Sequence, residues 1–207
     1  MEFNKSDWIG KWINFEEFIE SEEPAMIKTW SEAEEMATKV PALSKMFSNG
    51  VRNFWRMACN TKTEQVSEGI YGIEISESKN GVFIGWTGKD KDSLGEYEYV
   101  LKEILPKGLE GKENFVLFAE NAPEDWPFRW FIAMAPMPER TARDNGGLIS
   151  HIHFQWGTNR EDILKEDGSL VKPMWYPTIC DAKGDLLEQC NITRALHHLP
   201  KWDKLPD

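Results

Sequence analysis

The spacing of apolar residues along the chain changes period at about residue 63. From Pro24 onward, Met26, Trp30, Ala33 and Ala37 recur at intervals of four, three and four, while Lys28, Glu32, Glu34 and Glu35 take other positions. That rhythm predicts an amphipathic helix with Pro24 in its first turn and Pro41 beyond its end. A second helical stretch follows from Pro41 through Met46 and a third from Val51 to Cys59, separated by Ser48-Asn49-Gly50. Ahead of them lies a short aromatic segment, Asp7 to Asn14.

Beyond Thr63 the period is that of strands. Ile70, Tyr71, Ile73 and Ile75 lead into a turn at Ser76 to Gly81 and then into Val82 to Trp86, which reads as a hairpin. The charged run Lys89 to Asp92 marks another turn before Tyr97, Tyr99 and Leu101 alternate with Glu96, Glu98 and Val100. Further strands fit Phe115 to Ala119, Phe128 to Ala135 and Leu148 to Trp156, with prolines at their margins. Six or so short strands on short connections predict an antiparallel barrel or sandwich. The tail holds an extended segment, Lys172 to Thr178, and a short helix from Asn191 to Leu199. One domain over 1–207 is expected, with a helical insertion at about 24–60, barrel strands at about 63–157 and a C-terminal extension at about 173–207.

Charge narrows the partners. Against 35 acidic residues stand 24 basic ones, a formal net charge of −11, and the basic residues are scattered, which argues against nucleic acid and against anionic membrane surfaces. No apolar run reaches the length of a membrane span, and the segment from Met1 to Trp8 has no basic stretch followed by an apolar one, so a cytoplasmic protein is expected. Cys59, Cys180 and Cys190 show no C-x-x-C spacing and read as buried, reduced thiols. Asn191-Ile192-Thr193 is a glycosylation sequon that reads more simply as a helix cap.

Four histidines fall in two pairs. Alternation along Leu148 to Trp156 places Ile149, His151, His153 and Gln155 on one face and Ile152, Phe154 and Trp156 on the other. Two imidazoles side by side on one strand can reach one metal ion, as in zinc sites completed by a third ligand; they can equally line a polar barrel interior or a solvated face. His197 and His198 diverge by roughly 100° on a helix, so they cannot easily chelate together and suit a helix C-terminus. No nucleophile elbow, P-loop or dinucleotide fingerprint is present, and no catalytic residue is marked.

Asp7-Trp8-Ile9-Gly10-Lys11-Trp12 resembles the opening D-W-x-G-x-W of the ZinT (YodA) family of metal-binding, lipocalin-like proteins. The resemblance continues, in order, through Gly69 to Ile75, Gly95 to Tyr99, His151-Ile152-His153-Phe154 and Trp175-Tyr176-Pro177-Thr178. It implies a mainly β, calycin/lipocalin-like antiparallel barrel with a helical segment at one side. It also implies binding of zinc, and of cadmium, through histidines near the barrel mouth, two of which carry over to His151 and His153. The family's third histidine lies on the preceding strand, where this chain has Ile132 or Met134 at the matching position. The family's His-rich segment and export signal are missing, and the loop Pro136 to Gly147 is longer.

The expected function is therefore divalent-metal binding, with zinc on His151 and His153 and a third ligand left open to His197, His198, a carboxylate or a cysteine. The alternative is a lipocalin-like carrier of a small apolar ligand in a cavity lined by some of the ten Trp. A metal-dependent hydrolase is the third possibility, with no substrate named by the sequence.

Overall fold

The computed structural model describes residues 3–206; Met1, Glu2 and Asp207 lie outside the described residues. Eight antiparallel strands close into a barrel in sequence order: β1 (Gly10–Asn14), β2 (Ile70–Glu77), β3 (Val82–Gly88), β4 (Ser93–Leu105), β5 (Asn114–Ala119), β6 (Trp130–Met134), β7 (His151–Gly157) and β8 (Thr178–Asp181). It is the mainly β, calycin-like barrel with helices beside it that the resemblance implies, and of the barrel or sandwich left open by the strand pattern it is the barrel. The barrel reaches beyond 63–157, however. β1 precedes the helical insertion, and β8 lies in the tail and closes the ring by pairing with both β1 and β7. Five- and four-residue strands carry too few alternations to announce themselves.

Between β1 and β2 run α1 (Glu16–Ile19), α2 (Pro24–Lys39), α3 (Pro41–Met46) and α4 (Val51–Ala58). α2 buries Met26, Trp30, Ala33 and Ala37, the face its periodicity predicts. A short α5 (Thr141–Asp144) sits in the long loop after β6, and α6 (Leu186–Leu196) packs on α2. Asp185 and Glu188 form a reciprocal capping box at the start of α6. Asn191 is therefore not the cap; it lies inside α6, and its carboxamide binds the Trp202 backbone. No helix among the described residues is long and apolar enough to cross a membrane.

Two cores share the barrel wall. Inside, Trp8, Trp12, Trp86, Tyr99, Phe128, Phe131, Phe154 and Trp156 pack with Ile73, Ile75, Ile84, Ile152 and Ile179. Trp86 stacks on Phe128 with ring centroids 4.0 Å apart, and Phe131 stacks on Phe154 at 5.3 Å. Outside, the helices pack Phe15, Phe18, Met26, Trp30, Phe47, Val51 and Ile192 against Ile13, Ile149 and Cys180, which project from the outer face of the wall.

The Tyr99 hydroxyl holds the inner core together. It accepts from Trp86 Nε1 at 3.1 Å and Trp126 Nε1 at 3.2 Å and donates to the Phe128 carbonyl at 2.7 Å. Its full capacity of one donated and two accepted bonds is used. Tyr99→Phe keeps the ring but strands two buried indole N–H groups, so unfolding in urea, followed by tryptophan fluorescence, should show a loss of about 2–5 kcal/mol. Phe83→Leu, on the outer face of β3, should cost under about 0.5 kcal/mol.

Candidate metal and ligand site

Alternation along β7 sends Ile152, Phe154 and Trp156 into the barrel, so His151 and His153 project outward, beneath the helical layer. They line neither the barrel interior nor an open solvated face. Across the wall His151 pairs with Cys180 and His153 with Thr178 on β8. The space between this patch and α4 and α6 is a cavity of about 270 Å³. Phe15, Trp55, Leu148 and Ile192 give it apolar sides, and His151, His153, Thr178 and Glu110 its polar end.

Hydrogen bonds fix the orientation of His153. Thr178 donates its hydroxyl proton to the Tyr176 carbonyl at 2.8 Å, which leaves its oxygen to accept from His153 Nδ1 at 2.7 Å. With the proton on Nδ1, the Nε2 lone pair of the neutral ring is free, and it faces Glu110 Oε1 at 3.4 Å. That separation suits either an Nε2–H donor, in the ring's other tautomer, or a cation held between the two atoms. The imidazole of His153 holds the Glu110 carboxyl below the usual carboxylate range.

Glu110 reaches this position from a 3-10 turn, Leu109–Gly111, in which its own φ is +54°. Asn114 accepts from the Leu109 N–H at 2.8 Å, and a Cβ on Gly108 would strike the Asn114 carboxamide at 2.5 Å. Glycine at 108 thus lets the turn dock, and the strained backbone at Glu110 aims its carboxylate at β7.

The His151 and His153 rings are 5.0 Å apart. His151 Nδ1 is buried without a partner, and burial holds this imidazole down to about 3, so it is neutral at physiological pH. Cys180 also lines the cavity, and burial pushes its thiol up, away from the thiolate a metal would need. Among the described residues no three His, Cys, Asp or Glu side chains already converge on a point that would hold a metal ion.

The positions expected for a third histidine lie elsewhere. Ile132 packs on the far outer wall with Leu105, Val116, Ile163 and Leu164, and Met134 pairs with Asn114. The residue opposite His151 is Met137, bonded to it through both backbone groups at 2.9 and 3.0 Å. His197 and His198 line a different cavity, so neither completes this site. Glu110 was not legible in the sequence, because forty residues and two strands separate it from His151. Thr178 lies in the tail segment whose resemblance drew attention without assigning it a role.

Compared with protein-family models, curated proteins and solved structures, the chain matches none.

Burial of two neutral histidines predicts acid sensitivity. His151 is held down to about 3 and His197 to about 4, whereas an unfolded histidine titrates near 6.5. Above about pH 6.5 neither state binds the extra protons and these groups give no pH dependence. Below it the unfolded chain takes up protons that the folded chain refuses, and each histidine costs about 1.4 kcal/mol per pH unit until its folded value is reached. The depressed Glu110 carboxyl adds its own loss only as the pH falls through the ordinary carboxylate range, below about pH 5.5. Urea unfolding with chelator present should show stability lower by about 2.7 kcal/mol at pH 5.5 than at pH 7.5. His151→Gln should remove about half of that difference, and a flat profile would refute the assignment.

Proposed function

We propose that the chain is a divalent-metal binding protein of the ZinT (YodA) type, taking zinc at the polar end of the cavity. The supporting observation is the 3.4 Å approach of His153 Nε2 to Glu110 Oε1, with Nδ1 paired to the Thr178 hydroxyl at 2.7 Å. Two donors each about 2.0–2.1 Å from a tetrahedral zinc lie about 3.4 Å apart, so this pair has the spacing of one edge of a zinc site. Thr178 plays the part of the outer hydrogen-bond partner that fixes a ligating histidine's tautomer. His151, whose Nδ1 has no partner, is the third ligand once its ring turns toward that edge. Glu110 thus replaces the histidine that the family has upstream. One carboxylate and two imidazoles also suit other divalent ions, cadmium among them. Zinc bound here would supply positive charge between His153 and Glu110.

The apolar sides of the cavity, Phe15, Trp55, Leu148 and Ile192, favour a second reading, a carrier of a small apolar ligand. The aromatic filling of the barrel leaves this outer cavity, and not the barrel interior, as the carrier site.

Calorimetric titration of chelator-treated protein at pH 7.5 should show one zinc per chain. His153→Ala and Glu110→Gln should each weaken uptake at least about tenfold, as loss of a ligand does, and Thr178→Val should weaken it less. Acidification should weaken uptake further, because a protonated imidazole cannot ligate. Absence of zinc uptake, together with quenching of tryptophan fluorescence by a hydrophobic probe that His153→Ala does not alter, would favour the carrier.

A further inference from the structure

A second cavity, of about 180 Å³, lies within the helical layer, apart from the His151 and His153 patch. Ala33, Met36 and Ala37 of α2 form one side, Met46, Phe47 and Trp55 another, and Leu196 with His197 closes the end. His197 is the C-cap of α6 and only 7% exposed. Its ring is boxed by Trp30, Phe47 and Trp55, with centroids 5.6, 6.2 and 6.0 Å away in edge-to-face contacts.

Two polar atoms in this aromatic box are unsatisfied. His197 Nε2 and Trp55 Nε1 are both buried without a hydrogen-bond partner. Buried nitrogens are almost always paired, by protein, by ordered water or by a bound molecule, so two orphans on touching rings beside a cavity offer a ligand's polar group its partners. The charged neighbour that could have served is already engaged: Glu34 accepts from the Val51 and Arg52 N–H groups at 2.9 and 3.1 Å, capping α4. Desolvation keeps His197 neutral, so the missing partner need carry no charge.

We infer that this cavity binds a small neutral aromatic alcohol, of the phenol class, whose hydroxyl pairs with His197 Nε2 while its ring lies among Phe47, Trp55 and the methionines. Size supports a single ring, since an apolar cavity of about 150 Å³ accommodates benzene. A hydroxyl is both donor and acceptor and so satisfies Nε2 in either tautomer of the neutral imidazole. Met36 and Met46 supply the adaptable thioether lining that accepts flat rings, and Met46 and Leu196 are exposed enough at the rim for entry. A charged ligand would pay desolvation among these largely apolar and aromatic walls.

The test is a titration of the intact chain with p-cresol, and separately with toluene, followed by the indole N–H resonance of Trp55 in two-dimensional NMR. The expected result is saturable binding of p-cresol, about tenfold tighter than toluene, as one buried hydrogen bond to a neutral group warrants. His197→Phe should abolish that preference while toluene still binds. Ala33→Leu, which fills the cavity and leaves the aromatic box intact, should abolish both, and His151→Ala should change neither. Failure of p-cresol to saturate, equal affinity for the two probes, or shifts centred on His151 and His153 would each overturn the proposal. So would a crystal structure of the p-cresol complex with only a water on His197 Nε2.

Discussion

Three hydrogen bonds meet at the Tyr99 hydroxyl, and through them the inside of the barrel is given over to packing. Trp86 and Trp126 point their indole N–H groups at that oxygen, and the Phe128 carbonyl takes its proton. A core this aromatic tolerates such polar atoms only when each is matched, because an unmatched one in a low-dielectric interior costs more than its bond returns. With stacked rings filling the space between them, the inner faces of the strands are spent. Whatever the eight strands position for chemistry has to stand on their outer faces.

The outer face is not uniform. Over β4 to β6 it carries a small cluster, Leu105, Val116, Ile132, Ile163 and Leu164, sealed by the loop after β7. Over β1, β7 and β8 it meets the helices, and that seam is held by polar clamps. At one end Asn14 joins the end of β1 to Glu16, Thr61 and the Ile70 carbonyl. At the other, the Arg194 guanidinium is buried against Glu32 at 2.7 Å and the Pro200 carbonyl at 2.6 Å, with the Trp202 ring 4.0 Å away. These clamps are satisfied, so they fix how the helices sit on the wall. Between them lie three of the buried polar atoms that have no partner, His151 Nδ1 at one place and Trp55 Nε1 with His197 Nε2 at another; others, on Thr29, Arg129, Arg140 and Gln155, lie away from both cavities. Unpartnered polar atoms therefore occur at both proposed sites without being confined to them, and it is their coincidence with a cavity that singles these three out.

How much of this the sequence reveals depends on the length of the repeating pattern. α2 and β7 carry enough residues for their periods to be read, and β7 correctly divides His151 and His153 from Ile152 and Phe154. It does not say which side of β7 is inside. That is decided by the partner strands, whose small and aromatic residues fill the barrel, and by helices that present apolar faces to the other side. β1 and β8 are too short to be seen as strands by alternation, yet they close the ring and bring Thr178 and Cys180 beside the histidines. Glu110 could not be inferred at all. Its role comes from a positive φ in a three-residue turn between Gly108 and Gly111, a local conformation whose direction in space is set by docking on Asn114.

The two proposed sites share a boundary, and its composition explains why they can coexist. Trp55 and Leu196 line both cavities, one side chain from α4 and one from α6. One backbone bond, from the Tyr176 N–H to the Ala58 carbonyl at 2.9 Å, ties the end of α4 to the segment entering β8; otherwise side-chain packing and the clamps set the position of each helix. A partition of this kind keeps the polar donors of the proposed metal site, an imidazole and a carboxylate on strand and turn backbone, apart from the aromatic and thioether lining of the helical pocket. The strand-borne histidine is oriented by Thr178 through a hydrogen bond across the barrel wall, where the backbone cannot drift. His197 has no such support and is held by rings alone. Precision in donor placement belongs on the wall and adaptability belongs in the helical layer, and the chain distributes its two histidine pairs accordingly.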